Sequence, residues 1–374
     1  MLYQNIQGLR AVAALMVVCA HFYYSPWVQP VINAVGPGGV DVFFVISGFV
    51  VFLSAARIGK KAAVVGRWRA FREFAVKRVF RIYPVYWVAF AVASIVLLTT
   101  TVSLAPADLA QKPWWKLFLL IAQPNNRILA AWTLQYEMIF YSVCALAILL
   151  FPRRVLIVLA AWFAIVFAIW AAGISWHSYY VVPAIYFFIP VVLEFFFGIV
   201  VALMAERKIA GYAFSSVVAG VCGLLFGAYV LSQNGGYAAS SMWRTLCIGL
   251  PSAFIAYGLI ALEIRQRWTF PKALVKLGDA SYSLYLWHQM LFAVMAAVWV
   301  KLGIAGGLPL RLVSIPIAIA LGVASYRLIE RPIYKSKWVA RLAGTVRKPS
   351  IAPSASLVVD YSHQDAGAAP IKSG

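Results

Sequence analysis

Gln7-Gly8-Leu9-Arg10-Ala11-Val12-Ala13-Ala14-Leu15-Met16-Val17-Val18-Cys19-Ala20-His21 carries the first hydrophobic stretch of the chain. Arg10 and His21 bracket ten residues whose sole other ionisable group is Cys19. Wound as a helix, the eleven steps turn through about 1100°, close to three revolutions, and rise about 16 Å. The cation and the imidazole then share one face, half a bilayer apart. Ionisable groups inside a span are costly and mark function. A site worked from both ends is the first expectation.

The rest of the chain supports a membrane setting. It is 64% hydrophobic and 11% charged, where a soluble domain carries about 25% charge. Apolar runs near the ~20 residues a span needs recur along it. Ten read out, near 8–24, 38–56, 83–103, 132–150, 155–173, 181–204, 213–232, 243–263, 281–300 and 309–328. The expected fold is all-α, a polytopic transmembrane bundle over 1–345. Residues 346–374, rich in Ser, Ala and Pro near their start, read as a disordered tail. The first segment lacks a basic leader and stays as a span rather than a signal peptide.

The net charge of +21 falls on alternate loops. Nine of the 32 Lys and Arg lie between Arg57 and Arg81, and leaving out Arg10 the two sides hold 25 and 6. The positive-inside rule then puts both termini in the cytoplasm. Basic loops facing anionic lipid account for this charge without nucleic acid. The four cysteines all fall in spans with no CxxC spacing, so neither a disulfide framework nor a metal site is expected. No internal repeat is visible. Trp114, Trp115 and Phe118 in the longest outer loop suit an interfacial helix.

With the N-terminus inside, His21, Asp41 and Glu137 reach the outer half of the bundle from three spans. A carboxylate that orients an imidazole is the arrangement a general base needs. Each group has a plainer reading as well: an interfacial histidine, an aspartate capping the helix after Gly38-Gly39, and an interhelical hydrogen bond by Glu137. On the cytoplasmic side, Arg78 and Arg81 stand one turn apart before Tyr83-Pro84, which reads as the opening of a span. Their planar forks suit phosphate, and juxtamembrane anchoring is the alternative. Tyr282, Tyr285 and His288 repeat at three-residue spacing, and His288 is either cavity-lining or a packed core histidine. Glu194 is similarly deep and similarly open. Glu330-Arg331-Pro332 reads as structural.

These stretches carry a resemblance. Gln7 to Leu15 with His21, Gly38-Gly39-Val40-Asp41-Val42-Phe43-Phe44-Val45-Ile46-Ser47-Gly48-Phe49 and Arg78-Val79-Phe80-Arg81-Ile82-Tyr83-Pro84 resemble the membrane acyltransferase 3 family. Trp132-Thr133-Leu134 through Glu137 and Tyr141, Tyr285-Leu286-Trp287-His288 and Glu330-Arg331-Pro332 continue it in order, over about residues 3–335. The Trp-Thr-Leu-Gln-Tyr-Glu-Met segment is most similar to bacterial exopolysaccharide O-acetyltransferases. The resemblance implies a multi-pass protein of the bacterial cytoplasmic (inner) membrane. It would take acetyl from acetyl-CoA, a donor substrate rather than a bound cofactor, to a hydroxyl of a glycan or lipid-linked saccharide. It also makes Arg10 and His21 one motif and Arg78 and Arg81 a second.

On that reading, Arg10, Arg78 and Arg81 hold the acyl-CoA phosphates, and His21, Glu137 and Asp41 are catalytic. Tyr83 and Ser47 are candidates for an oxyanion site, and Tyr285 and His288 for the cavity wall. His21 would act as general base or take the acyl group itself. The rival readings are a transporter or flippase of a glycan-lipid, whose intramembrane charges would be transport sites, and a structural subunit.

Overall fold

The computed structural model describes residues 3–21, 35–99, 113–123, 128, 130–174, 183–234, 238, 241–303 and 308–345. Among the described residues there are helices and turns and no strand. Seven helices are long and apolar enough to cross a membrane: Gly38–Val65, Arg67–Val96, Ala131–Leu150, Pro152–Ala171, Ala213–Asn234, Met242–Ile264 and Val313–Leu342. The other three expected spans fall on Gln4–Ala20, Leu193–Glu206 and Ser281–Lys301. The expected tail from 346 lies outside the described residues.

The helices that position the site are α1 (Gln4–Ala20), α2 (Gly38–Val65), α3 (Arg67–Thr99), α4 (Trp114–Phe118), α5 (Ala131–Leu150), α6 (Val155–Ala171), α7 (Leu193–Glu206), α8 (Ala213–Asn234), α9 (Leu250–Ile264), α10 (Lys272–Asp279) and α11 (Ser281–Lys301). α2 is the hub, packed against α1, α3, α5, α7 and α9. Two glycines let it approach α7. A Cβ on Gly48 would stand 2.1 Å from the Phe195 carbonyl oxygen, and one on Gly198 would stand 2.0 Å from that of Val45. Without a strong hydrophobic drive between helices in lipid, such backbone proximity supplies the packing.

The basic stretch 57–81, expected as a loop whose end from Phe74 to Arg81 leads helically into the next span, is helical on both sides of Gly66. α2 continues to Val65, turns at Gly66 with φ of 85°, and α3 starts at Arg67. Glu73 binds Lys61 and Lys77, each at 2.8 Å, and so joins the two helical ends. Pro84 therefore lies inside α3 rather than in its first turn. Neighbouring helices can satisfy the carbonyl such a proline leaves free. The aromatic segment expected in an outer loop is the short helix α4, with Phe118 stacked on Trp87 at 5.1 Å and 6° and with Trp114 and Trp115 exposed.

Candidate active site

Helical periodicity brings one face of each of several helices onto a common cavity. From α2 come Val40, Phe43, Phe44, Ser47, Val50 and Val51, a three-and-four spacing that defines one stripe. Thr133, Glu137 and Tyr141 follow at four-residue steps on α5. Arg10 enters from α1, Arg78 and Arg81 from α3, and Tyr282 and Tyr285 from α11. The space amounts to about 760 Å³, its open mouth included.

The three guanidinium groups differ in their engagement. Arg81 donates to the buried carboxylate of Glu330, whose second oxygen accepts from Ser283 Oγ at 2.7 Å. Arg10 Nε donates to Ser281 Oγ at 3.1 Å. Arg78 has no acidic partner among the described residues. Its guanidinium lies over Phe74 at 5.4 Å and Tyr141 at 5.6 Å, and its buried Nε has no hydrogen-bond partner among the described residues. A charged donor without an acceptor inside a cavity is poised for an anion. Ser47 Oγ donates to Glu137 Oε1 on the same wall.

Beyond that wall stands a histidine pair. Tyr285 Oη contacts Thr133 Oγ1 at 2.9 Å on the cavity side. One turn along α11, His288 Nδ1 lies 2.6 Å from the Tyr285 carbonyl oxygen, and its Nε2 lies 3.3 Å from His21 Nδ1. His21 Nδ1 is also 2.9 Å from the Val17 carbonyl oxygen. The rings meet edge to face, centroids 5.0 Å apart. His288 is fully buried, while His21, at the end of α1, is exposed.

The structure does not bring Asp41 or Glu137 to His21. Among the described residues the polar partners of the His21 ring are Val17 and His288. Asp41 is buried in a two-pronged ion pair, Arg244 Nε to Oδ1 and Nη2 to Oδ2, both at 3.0 Å. Arg244, read from sequence as an outer-loop charge, is 4% exposed and lies over Trp132 at 5.5 Å. Glu194 is buried beside this pair, with Gly249 packed on its side chain. Tyr83 is absent from the cavity wall. Its hydroxyl donates to the Leu119 carbonyl at 2.8 Å and pins the segment after α4.

Arg244 as the partner of Asp41 and Glu330 as the partner of Arg81 are what the sequence alone did not show. A signal existed for both: a buried carboxylate in a span demands a buried cation, and Asp41 and Arg81 each lacked an assigned partner.

Residues 3–327 match the family described as an acyltransferase domain. The exopolysaccharide production protein ExoZ of Rhizobium meliloti (strain 1021) is 28% identical over 314 residues, covering 80% of this chain and 90% of that one. The acyltransferase MdmB of Streptomyces mycarofaciens is 28% identical over 400 residues, covering 93% and 94%. No solved structure matches the chain. With the family match running through every helix that builds the cavity and the histidine pair, the chain belongs to the membrane acyltransferase 3 family.

Proposed function

We propose that this membrane acyltransferase moves an acetyl group from cytoplasmic acetyl-CoA to a hydroxyl of an exopolysaccharide or lipid-linked saccharide at the outer side of the bacterial inner membrane. The observation that carries this reading is the meeting of Arg10, Arg78 and Arg81 in one cavity, with Arg78 lacking an acidic partner among the described residues. CoA is an anionic head on a thin pantetheine arm. The guanidinium groups suit the head, and the arm would run along the cavity toward Tyr285 and the histidines. A helical rise of about 16 Å between Arg10 and His21 is comparable with that arm.

In this reading His21 is the general base. It takes the proton of the acceptor hydroxyl as the oxygen attacks the thioester carbonyl. Collapse of the tetrahedral intermediate breaks the carbon–sulfur bond, and the imidazolium returns its proton to the departing thiolate. The products are the O-acetyl ester and CoA thiol. The exposure of His21 lets an acceptor reach it without entering the bundle.

The test is acceptor-dependent release of CoA from acetyl-CoA by purified protein in liposomes, wild type against His21→Ala, with exopolysaccharide fragments as acceptors and a thermal melt of each. Loss of turnover in a folded variant is the expected result. Full turnover would remove His21 from the chemistry.

A further inference from the structure

We infer that His288 is a positioning residue that makes Nε2 of His21 the basic nitrogen. The inference rests on His21 being the base, and it adds which nitrogen acts and what selects it. Backbone carbonyls accept and have no proton to give. The Tyr285 carbonyl oxygen lies 2.6 Å from His288 Nδ1, so that nitrogen carries the hydrogen. A neutral His288 then presents Nε2 as a bare acceptor. The Val17 carbonyl lies 2.9 Å from His21 Nδ1, so the hydrogen of His21 sits on Nδ1.

Both assignments agree at the third contact. The single His21 Nδ1–H is shared between the Val17 carbonyl at 2.9 Å and the lone pair of His288 Nε2 at 3.3 Å, and no other neutral arrangement satisfies all three partners. The lone pair of His21 is thereby left on Nε2, the nitrogen that neither Val17 nor His288 engages. The carbonyl alone would leave the ring free to turn away from it, and a turned ring can carry its hydrogen on either nitrogen. His288, fully buried and held by its own helix, supplies the second point that fixes the ring plane. Triad enzymes use a carboxylate in this place. Here the partner is a neutral imidazole, and Asp41 and Glu137 are engaged elsewhere.

The experiment is nitrogen-15 NMR of histidine-labelled full-length protein in liposomes. The chain has four histidines, so His177→Gln and His363→Gln leave only the pair, and His21→Ala assigns the signals. Both remaining rings should be protonated at Nδ1 and bare at Nε2. A proton on Nε2 of His21 would overturn the inference, whatever the activity. His288→Phe, which keeps a ring but no acceptor, should let Nε2–H appear on His21. It should also lower kcat about tenfold at unchanged KM for acetyl-CoA, since a mis-set tautomer costs turnover. His288→Gln restores an acceptor and should return kcat to within about threefold of wild type. Full turnover in a folded His288→Phe would also overturn the inference. If His288→Phe fails to fold, the wild-type spectrum alone decides. Full turnover in His21→Ala would instead sink the reading of His21 as base, leaving the tautomers as measured.

Discussion

Arg244 grips both carboxylate oxygens of Asp41 at 3.0 Å, joining the first turn of α2 to the turn that leads into α9, 203 residues away in sequence. Both side chains are almost wholly buried. Removing one member of such a pair strands a charge and costs about 3–5 kcal/mol, whereas replacing both with apolar residues is often neutral. Asp41→Ala should therefore lower the unfolding midpoint in detergent by several degrees, and Asp41→Leu with Arg244→Met should recover most of it. Acyl transfer should return with the fold in the double variant. A folded but inactive double variant would restore Asp41 to the catalytic group.

Arg78 and Arg81 occupy the same helix one turn apart, yet their substitutions should fail differently. Arg81 satisfies the buried Glu330, so Arg81→Ala strands that carboxylate and should destabilise the protein by about 3 kcal/mol. Arg78 satisfies no carboxylate among the described residues. Arg78→Ala should melt like wild type and raise KM for acetyl-CoA at least about tenfold, because a charge-assisted hydrogen bond is worth about 1.5–3 kcal/mol. Unchanged KM in Arg78→Ala would take the donor phosphates away from this cavity.

The contrast shows what the sequence could and could not disclose. Arg10, Ser47 and Glu137 were recognisable because each is polar where a span should be apolar, Arg78 and Arg81 because two guanidinium groups stand one turn apart at the entry to a span, and all five line the cavity. Depth along a span was legible from the topology. Azimuth was not, and so Asp41 and Glu137, at about the right depth for His21, turn to Arg244 and Ser47 instead. Partners from distant spans stayed hidden for the same reason: nothing local in Tyr-Arg-Leu-Ile-Glu-Arg says that Glu330 faces Arg81. His288 was visible as a buried histidine at three-residue spacing, but its edge-to-face contact with His21 depends on how α1 and α11 cross. In the basic 57–81 stretch the helical lead-in from Phe74 to Arg81 was legible, but helix on both sides of Gly66 was not, because charge argues for water and helices can extend beyond the membrane into it.

Gly48 follows Ser47, and its lack of a side chain sets where that serine stands. A methyl group at this position would meet the Phe195 carbonyl oxygen at 2.1 Å, and backbone inside a packed helix cannot step aside. Gly48→Ala should force α2 and α7 apart, at about 1–3 kcal/mol or more, and separate Ser47 from Glu137. Gly211→Ala, with nothing within 4 Å, is the control and should be silent. Folded yield and melting in detergent read the first effect, and acyl transfer reads the second. A Gly48→Ala protein as stable and active as wild type would mean that the helices are not held at this spacing.

Glu137 separates packing from charge most cleanly, because a glutamine there can still accept the Ser47 hydrogen bond while removing one negative charge. The cavity holds three cations, and Glu137 is the carboxylate on its wall. Neutralising it leaves Arg10, Arg78 and Arg81 with a stronger pull on any polyanion. Each unit charge a few ångströms away is worth on the order of 1 kcal/mol or more at protein surfaces, so CoA should bind about five- to tenfold tighter. Tighter binding of donor and product alike does not favour the transition state; it lowers KM and slows release. Glu137→Gln should accordingly show KM for acetyl-CoA and kcat falling together, with a lower Kd for CoA by equilibrium binding to liposome-reconstituted protein. Glu137→Ala, which also leaves the Ser47 hydroxyl without its acceptor, should lose stability in addition. Were Glu137→Gln to bind CoA no more tightly than wild type, the carboxylate would not be tuning an anion site, and its bond to Ser47 would be its whole role.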